Sequence, residues 1–365
     1  MEFIRVEDCC EILDSQRKPI TESERVPGRY PYYGANGIQG TINQYIFDGK
    51  LVLVAEDGGH FGSKTKSIAY LVNGKCWVNN HAHVLRAKKG FLAEYICYSL
   101  MFYKIEGYIN GATRQKLTQA ALRKLIIPKR SVEYQKAIVD RLDLVRYIIE
   151  KKQNIINELD LLIKSRFVEL FGDVVLNTLN WPLVKLSDIA EYRIGLTYKP
   201  EAVSSSGIAV LRSGNIKNSQ LCYEDTIYVN SKVESKLLLK KHDILMCARN
   251  GSQSLVGKVA LIENDISNTT YGAFMMAISS KYYVYLLEYF RSQAFRRLIS
   301  VGATTTINQV TTRMLNSIVI PLPDMDTINR FALYYSQINK LKSDVQKSID
   351  ETQLLMDSLM QEYFG

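Results

Sequence analysis

Two groups of loops are rich in Arg, Lys, Asn, Gln, Thr and Tyr, the residue types that contact DNA. Arg and Lys bind phosphates, while Arg to guanine and Asn or Gln to adenine supply paired hydrogen bonds in the major groove. Each loop alone is also compatible with an ordinary solvated turn, so the prediction depends on recurrence of such loops in two parts of the chain. The candidate DNA-contacting residues are Arg29, Tyr32, Tyr33, Asn36, Lys64, Lys66, Asn80, Arg114 and Lys116 in the first part, and Arg193, Lys199, Arg212, Asn215, Arg249, Asn250, Gln253 and Thr305 in the second.

Residues 58–65 resemble a phosphate-binding loop, because they are glycine-rich, follow an apolar run and end in Lys-Thr. A functional loop of that kind needs Gly directly before the Lys and a helix after the Thr, so that backbone N–H groups point at phosphate. Here Ser63 precedes Lys64, and residues 67–72 have the pattern of a strand. Nucleotide hydrolysis is therefore not predicted.

His81 and His83 could give two imidazoles to a metal, but no third ligand stands at helical or loop spacing. We expect a structural or DNA-facing pair of histidines, with no metal and no cofactor. The sequence also lacks an Asn-Pro-Pro-Tyr or Asp-Pro-Pro-Tyr tetrapeptide for base methylation, a nuclease pattern and a nucleophile elbow. It predicts a binding protein and not an enzyme.

An internal repeat organises the elements that must position these loops. Residues 161–172 match residues 354–365 at an offset of 193, and the same offset maps Pro128 onto Pro321. Each of these prolines ends a short β-branched run that is typical of a strand. The chain is predicted to hold two copies of one module, a globular part followed by a helix, with bounds 1–128, 129–172, 173–320 and 321–365.

The two predicted helices carry an apolar seam in the same heptad register. Each would be about 60 Å long at 1.5 Å per residue, and the seam favours packing of one helix on the other. An ordinary amphipathic core helix remains an alternative, and both a parallel and an antiparallel pair would satisfy the pattern. We prefer the antiparallel pair. The second globular part begins directly after the first helix, so it would then lie at the opposite end of that helix from the first globular part. The seam residues are Leu142, Val145, Ile149, Ile156, Leu159 and Ile163 in the first helix, and Ile338, Val345, Ile349, Met356 and Leu359 in the second.

Positive charge is concentrated in the globular parts. The chain has 46 Lys and Arg against 37 Asp and Glu, which gives a net charge of +9. Residues 1–128 hold 17 basic and 12 acidic residues, and residues 173–320 hold 16 and 11, so each globular part carries +5. The helices hold 9 against 7 and 4 against 7, so they are nearly neutral. A polyanion would therefore bind the globular parts.

Hydropathy and cysteine usage indicate a soluble protein. No run approaches the roughly 18 apolar residues that a membrane helix needs, and the first residues do not form a signal peptide. We expect a cytoplasmic protein without a membrane partner. The six cysteines form no Cys-x-x-Cys pair, so we expect buried thiols and no disulfide framework or zinc ribbon.

Short motifs in both globular parts carry a resemblance to a known family. The first part contains Tyr-Tyr-Gly-Ala-Asn-Gly-Ile at 32–38, Tyr-Ile-Phe-Asp-Gly at 45–49 and Glu-Asp-Gly at 56–58. The second contains Trp-Pro-Leu-Val-Lys-Leu-Ser-Asp-Ile-Ala at 181–190, Leu-Arg-Ser-Gly-Asn-Ile at 211–216 and Ala-Arg-Asn-Gly at 248–251. In this order within a duplicated module, they resemble the specificity subunit of type I restriction-modification enzymes over essentially the whole chain.

The resemblance implies an α+β fold with two mixed α/β target recognition domains. These would be separated by two long helices, packed as an antiparallel coiled coil in a pseudo-twofold repeat. It also implies that each domain reads one half of a bipartite sequence in double-stranded DNA. The expected partners are two methyltransferase subunits and, in the full complex, motor-nuclease subunits, while the chain itself is non-catalytic. The alternative is a coiled-coil scaffold with two protein-binding heads.

Overall fold

The computed structural model describes residues 2–63, 65–111, 115–301 and 309–365. The chain divides into two compact units. Unit 1 comprises residues 1–154 together with 346–365, and unit 2 comprises residues 155–345. Both units combine helices with sheets, as expected for an α+β protein.

Unit 1 is built mainly on short strands, with a few short helices and the two long ones. Its strands are β1 (Phe3–Arg5), β2 (Cys10–Ile12), β3 (Tyr30–Gly34), β4 (Gly37–Ile42), β5 (Leu51–Ala55), β6 (Ala69–Val72), β7 (Trp77–Val78), β8 (Ala82–Ala87), β9 (Ile109–Asn110), β10 (Lys116–Leu117) and β11 (Ile126–Pro128). Its helices are α1 (Val6–Cys9), α2 (Ala93–Met101), α3 (Gln119–Lys124), the first part of α4 (Val132–Phe171) and the last part of α8 (Met325–Phe364).

The central sheet of unit 1 has the strand order β2-β8-β5-β6, and its neighbouring strands are antiparallel. All five residues of β5 are buried. Val52 and Val54 contribute to one apolar cluster, while Leu51 and Leu53 contribute to another, because alternate side chains of a strand point to opposite faces. Covering both faces explains why β5 is continuously apolar. A second sheet has the order β4-β3-β7.

Unit 2 repeats this mixture of short strands and short helices. Its strands are β12 (Leu183–Lys185), β13 (Glu191–Ile194), β14 (Val203–Ser204), β15 (Ile208–Leu211), β16 (Ile216–Lys217), β17 (Gln220–Leu221), β18 (Ile227–Val229), β19 (Ile244–Cys247), β20 (Val259–Leu261), β21 (Thr269–Tyr271), β22 (Met275–Ser279) and β23 (Val319–Pro321). Its helices are α5 (Tyr283–Arg291), α6 (Gln293–Val301), α7 (Thr312–Ser317), the rest of α4 and the first part of α8 (Met325–Phe364).

The central sheet of unit 2 has the order β13-β22-β19-β20, with neighbouring strands antiparallel. Strand β19 is buried on both faces, as β5 is in unit 1. Ile244 and Met246 belong to one apolar cluster, and Leu245 and Cys247 belong to the other. A second sheet has the order β14-β18-β15-β21. In each unit the second sheet contains one parallel pair, β3 with β7 and β15 with β21.

The offset of 193 found in the sequence relates elements of the two units. It maps α3 onto α7, β11 onto β23 and α4 onto α8, residue for residue. It also relates their caps: the Thr118 hydroxyl accepts from the Ala121 N–H at 3.2 Å, and the Thr311 hydroxyl accepts from the Met314 N–H at 3.1 Å. Threonine satisfies an N–H group that the first turn of a helix leaves without a partner. The repeat is therefore structural as well as sequential.

In unit 1, α4 and α8 pack in antiparallel order. The Arg141 guanidinium donates to the Tyr363 hydroxyl at 3.1 Å, and the Lys152 ammonium donates to the Thr352 hydroxyl at 2.7 Å. Partner numbers fall along α8 as they rise along α4, which confirms the antiparallel choice in this unit. Tyr363 is buried in the apolar cluster that also contains Tyr95. The end of α8 thus completes the core of unit 1.

The same order holds in unit 2. The Lys342 ammonium lies 2.5 Å from an Asp160 carboxylate oxygen, and the Arg166 guanidinium lies 5.8 Å from the centroid of the Tyr334 ring. Phe171, at the end of α4, is buried among the aromatic residues of unit 2. The predicted seam residues are buried at Leu142, Val145, Ile163, Ile338 and Ile349, and half-buried at Ile149, Ile156, Leu159, Val345, Met356 and Leu359.

None of the helices in the described ranges combines the length and apolar character that crossing a bilayer requires. Five of the six cysteines are buried, and Cys222 is half-buried, so the expectation of buried thiols is wrong for that residue. Strand β6 follows the glycine-rich segment at 58–65, where a phosphate-binding loop would need a helix. The described residues of this segment thus lack the geometry of a nucleotide site.

Candidate nucleic-acid interface

Polar loops at one end of the central sheet of unit 1 form a surface that we call the unit 1 edge. The edge consists of Asn36, Asp57, Gly58, His81 and Lys116, which follow β3 and β5, precede β8 and lie on β10. The Asn36 amide donates to the Gly58 carbonyl oxygen at 2.9 Å, and Asp57 forms an antiparallel backbone bridge with Lys116. Four segments that are distant in sequence thus meet at this edge.

The His81 ring at this edge is held by a carboxylate. Its Nδ1 lies 2.6 Å from an Asp57 oxygen, and 38% of the His81 side chain is exposed. A carboxylate oxygen accepts hydrogen bonds, so Nδ1 carries a proton, and when the ring is neutral Nε2 is an acceptor. The backbone is fixed as well, because the Glu56 N–H donates to the His81 carbonyl oxygen at 2.9 Å. In its neutral form the ring therefore presents a hydrogen-bond acceptor from a constrained position.

A buried ion-pair network lies beneath the unit 1 edge. Glu56 accepts from the Arg17 guanidinium at 2.7 Å and lies 3.0 Å from the Lys116 ammonium. The His83 Nδ1 lies 2.6 Å from an Asp14 oxygen, and Arg17 lies 3.5 Å from that same carboxylate. Because Lys116 belongs both to the network and to the edge, the network fixes the position of the edge.

Hydrogen bonding and charge lower the pKa of both carboxyls in this network. Burial by itself would raise the pKa of Asp14, but the hydrogen bond and charge of His83, helped by Arg17, outweigh it. Burial would likewise raise the pKa of Glu56, and hydrogen bonds from Arg17 and Lys116 outweigh that effect. Both groups are therefore held in their ionised form.

Asp14, Glu56 and His83 offer three ligand atoms within 4.8 Å of one another. Asp14 and Glu56 stand at neither helical nor loop spacing from His83, and distant segments of the chain bring these groups together. Arg17 contacts both carboxylates, and the His83 Nε2 lies 2.8 Å from the Leu117 carbonyl oxygen. Protein partners occupy these ligand atoms, so the cluster is interpreted as structural.

A corresponding surface in unit 2, the unit 2 edge, consists of Arg212, Ser213, Arg249, Asn250 and Phe274. The Asn250 amide donates to the Ser213 hydroxyl at 3.2 Å, which joins the loop after β15 to the loop after β19. The Arg249 N–H donates to the Phe274 carbonyl oxygen at 3.0 Å, and the Arg249 guanidinium lies 5.5 Å from the Phe274 ring centroid. The edge presents two exposed arginines and a ring that is 60% exposed.

Asn215 shapes the unit 2 edge from below and is not itself part of its surface. Its carbonyl oxygen Oδ1 accepts from the Arg212 N–H at 2.8 Å, and its Nδ2 donates to the Cys222 carbonyl oxygen at 2.9 Å. Asn215 is only 1% exposed, so the prediction that it contacts DNA is wrong. Its hydrogen bonds hold the turn that displays Arg212.

The predicted contact is also wrong for Tyr32, and the Arg193 side chain forms an ion pair within the fold. Tyr32 is 2% exposed, and its hydroxyl donates to the Ile20 carbonyl oxygen at 3.2 Å. The Arg193 guanidinium lies 2.6 Å from the Asp243 carboxylate. Asp243 precedes β19 whereas Arg249 follows it, so Arg193 lies at the opposite end of the sheet from the unit 2 edge.

The remaining predicted residues are distributed over the two edges and their surroundings. Arg29 is exposed but precedes β3, at the opposite end of that strand from Asn36. Tyr33 is half-buried, and its ring centroid lies 5.9 Å from that of Tyr70. Lys66, Asn80, Lys199 and Gln253 are exposed. Lys64, Arg114 and Thr305 lie outside the described residues.

The offset of 193 also relates the two edges. It maps Glu56 onto Arg249 and His81 onto Phe274, and the same backbone hydrogen bond joins each pair. His81 was expected to be structural or DNA-facing, whereas Phe274 was not among the predicted DNA-contacting residues. Phe274 is apolar, so a selection by polarity does not include it. The offset of 193 nevertheless identifies it as the position equivalent to His81.

Comparison with known proteins gives a family match over most of the chain. The family described as "Type I restriction modification DNA specificity domain" matches residues 1–161 and 179–355. A protein of Haemophilus influenzae named as a type I restriction enzyme specificity subunit is 27% identical over 273 residues, which are 73% of this chain and 69% of that protein.

A specificity subunit of Methanocaldococcus jannaschii, named for a type I restriction enzyme, is 21% identical over 399 aligned residues. That alignment covers 98% of this chain and 91% of the relative. Among solved structures, the S subunit of a type I restriction-modification system from M. genitalium superposes with a TM-score of 0.57 at 15% identity, covering 100% of this chain and 96% of that one. This likeness supports the fold.

Proposed function

The chain belongs to the family of type I restriction modification DNA specificity domains, and from this membership we propose that it is the DNA-recognition subunit of a type I restriction-modification complex. The unit 1 edge reads one half of a bipartite sequence in double-stranded DNA, and the unit 2 edge reads the other half. Each globular part, residues 1–128 and 173–320, acts as one target recognition domain.

One observation carries this proposal above the others: a backbone hydrogen bond that the offset of 193 relates between the two units lies at an edge with exposed polar side chains in each. Exposed side chains at these edges include Asn36 and Lys116 in unit 1, and Arg212 and Arg249 in unit 2. Cations bind phosphates without sequence preference, whereas amide and guanidinium groups on fixed loops read base edges. The charge of +5 on each globular part supports the same assignment.

The chain is not itself catalytic in this proposal, and two methyltransferase subunits supply the chemistry. Leu161 and Leu162 in unit 2 are 58% and 48% exposed, while Leu354 and Leu355 in unit 1 are 69% and 50% exposed. The offset of 193 relates the two pairs. Exposed apolar groups often mark protein contacts, so equivalent pairs fit two copies of one partner. Motor-nuclease subunits would join the same complex.

The long helices are proposed to set the number of base pairs between the two half-sites. Residues 129–172 and 321–365 would form this spacer, with the heptad seam as its packing surface. An antiparallel arrangement is present in each unit, as described above. A spacer of nearly neutral charge does not compete with the edges for the DNA backbone.

Sequencing of methylated bases in cells with and without the gene for this chain tests the proposal. The methyltransferase subunits should modify a bipartite motif only when the chain is present. Loss of the chain without any change in the methylated motifs would contradict it. With methyltransferase subunits bound, affinity for that motif should fall steeply as salt is raised, because bound cations release counterions from DNA. A coiled-coil scaffold of protein-binding heads would show no such dependence.

A further inference from the structure

Positions 81 and 274 present the same structural setting in the two units. Each residue directly precedes a strand of the central sheet, β8 for His81 and β22 for Phe274. Each carbonyl oxygen accepts a backbone hydrogen bond from the loop after the neighbouring strand, at 2.9 Å from Glu56 and at 3.0 Å from Arg249. Both side chains are rings that reach solvent at their edge.

We propose that His81 and Phe274 are equivalent base-contacting residues of the two half-sites, His81 for an exocyclic amino group and Phe274 for the methyl group of thymine. This inference rests on the proposed function, and it adds the chemistry that each edge selects. The sequence left His81 as either structural or DNA-facing and did not single out Phe274.

The chemistry at position 81 follows from the carboxylate that holds the ring. Asp57 accepts from Nδ1 at 2.6 Å, so Nε2 is an acceptor when the imidazole is neutral. In the major groove, the amino groups of adenine N6 and cytosine N4 are donors, whereas thymine O4 and guanine O6 are acceptors. An acceptor at this position therefore favours adenine or cytosine and disfavours thymine and guanine.

The chemistry at position 274 follows from an apolar ring on an otherwise polar surface. Phe274 is 60% exposed, and the Arg249 guanidinium lies 5.5 Å from its ring centroid. Exposing so much apolar area is unfavourable in the free protein, so a binding partner that covers it gains affinity. Thymine presents a methyl group in the major groove, and Phe is among the residues that contact it. Arg249 is close enough to bind a neighbouring phosphate or base.

The test uses the chain in complex with its methyltransferase subunits, and DNA duplexes that carry the motif found by methylation sequencing. Each thymidine of the half-site read by unit 2 is replaced in turn by deoxyuridine, which removes the methyl group alone. One such replacement should weaken binding by the wild-type complex about three- to fivefold, the value of one buried methyl group. The same replacement should leave binding by the Phe274→Ala complex unchanged.

The matching test for His81 removes one amino group at a time from the half-site read by unit 1. Purine replaces adenine, and pyrimidin-2-one replaces cytosine. One replacement should weaken wild-type binding about three- to tenfold, the value of one hydrogen bond, and should not weaken binding by the His81→Ala complex. The control variants are Lys89→Ala, at the other end of β8 from His81, and Leu298→Ala, a residue of α6 that is 50% exposed. Both should respond to the analogues as the wild type does.

The outcomes separate this inference from the proposed function. In one outcome, the wild-type complex binds its motif with an affinity that no uracil and no missing amino group changes. That result would overturn the inference and leave the proposed function intact. Equal responses of the wild type and of the Ala variants would also overturn it. A wild-type complex without any sequence preference would instead refute the proposed function.

Discussion

The Lys152 ammonium lies 2.7 Å from the Thr352 hydroxyl oxygen, at a point where both helices interrupt their apolar seam. It also donates to the Ser348 hydroxyl at 2.8 Å and to the Ser348 carbonyl oxygen at 3.0 Å. An ammonium has three donors, and these contacts use all of them. The half-buried cation is thus satisfied by neutral acceptors on one turn of the facing helix.

Removing one acceptor should cost more than removing the cation. Thr352→Val leaves the Lys152 ammonium one hydrogen bond short, which should lower the free energy of unfolding by about 1 kcal/mol. Lys152→Met keeps the aliphatic stem, and Thr352 still donates to the Ser348 carbonyl oxygen at 2.6 Å, so its effect should be about 0.5 kcal/mol or less. Denaturant unfolding of the full chain measures both variants. The variant that combines Lys152→Met with Thr352→Val should have a higher free energy of unfolding than Thr352→Val alone. Equal or lower stability of the double variant would contradict this account.

The ion pair between Arg17 and Glu56 should stabilise unit 1 far more than a surface pair does. Their side chains are 12% and 11% exposed, so Glu56→Gln would remove the nearer of the two carboxylates that pair with a largely buried guanidinium. We expect a loss of about 3 kcal/mol in the free energy of unfolding. Glu11→Gln is the matched control, because its pair with Arg86 is 3.5 Å long and about half exposed, and it should change stability by less than about 0.5 kcal/mol. Equal losses in the two variants would refute this difference.

The same network predicts how stability depends on acid pH. The pKa values of Asp14 and Glu56 are lowered in the folded protein from ordinary values of 3.8 and 4.5. Their stabilisation is therefore complete above about pH 5, where the carboxyls of the unfolded chain are ionised, and is lost as the pH falls through the folded-state values. The thermal midpoint of the wild type should fall more steeply below about pH 4.5 than that of Glu56→Gln. Parallel curves for the two proteins would contradict the prediction.

Arg249 and Arg193 should respond differently to substitution, although both were candidates for DNA contact. Arg249→Ala removes an exposed cation of the unit 2 edge, so affinity should fall for the second half-site only. The slope of log K against the logarithm of the salt concentration should become less steep by about one. Arg193→Met leaves the buried Asp243 carboxylate without its ion pair and should lower the thermal midpoint instead. Equal weakening at both half-sites by Arg249→Ala would indicate nonspecific charge.

The repeated framework was predictable because local sequence patterns indicate its helices and strands. Helices α4 and α8 appear as heptad seams, and strands β11 and β23 appear as β-branched runs before proline. The offset of 193 then relates the two modules without any structural information. These features depend on residues close together in the chain, and for such features sequence patterns are informative.

The residues that form the two edges could be predicted only in part, because residue type does not reveal whether a side chain is buried. Tyr32 and Asn215 have the chemistry of DNA-contacting residues, but the first packs in the core and the second bonds backbone groups of its own turn. Arg193 also has this chemistry, but it pairs with Asp243 at the other end of the sheet from Arg249. Conversely, Phe274 is apolar and exposed, and contacts between distant segments place it at the unit 2 edge.

The spacer role of the helices predicts the effect of one added heptad. Seven residues inserted after Asn154 in α4, together with seven after Val345 in α8, would preserve the apolar seam and lengthen both helices by about 10 Å. The gap in the methylated motif should then grow by about three base pairs, at 3.4 Å each, while both half-sites stay the same. Seven residues added to the exposed turn at Glu22 serve as the control and should leave the gap unchanged. Methylation sequencing reads the gap directly, and an unaltered gap in the helix variant would rule out the spacer role.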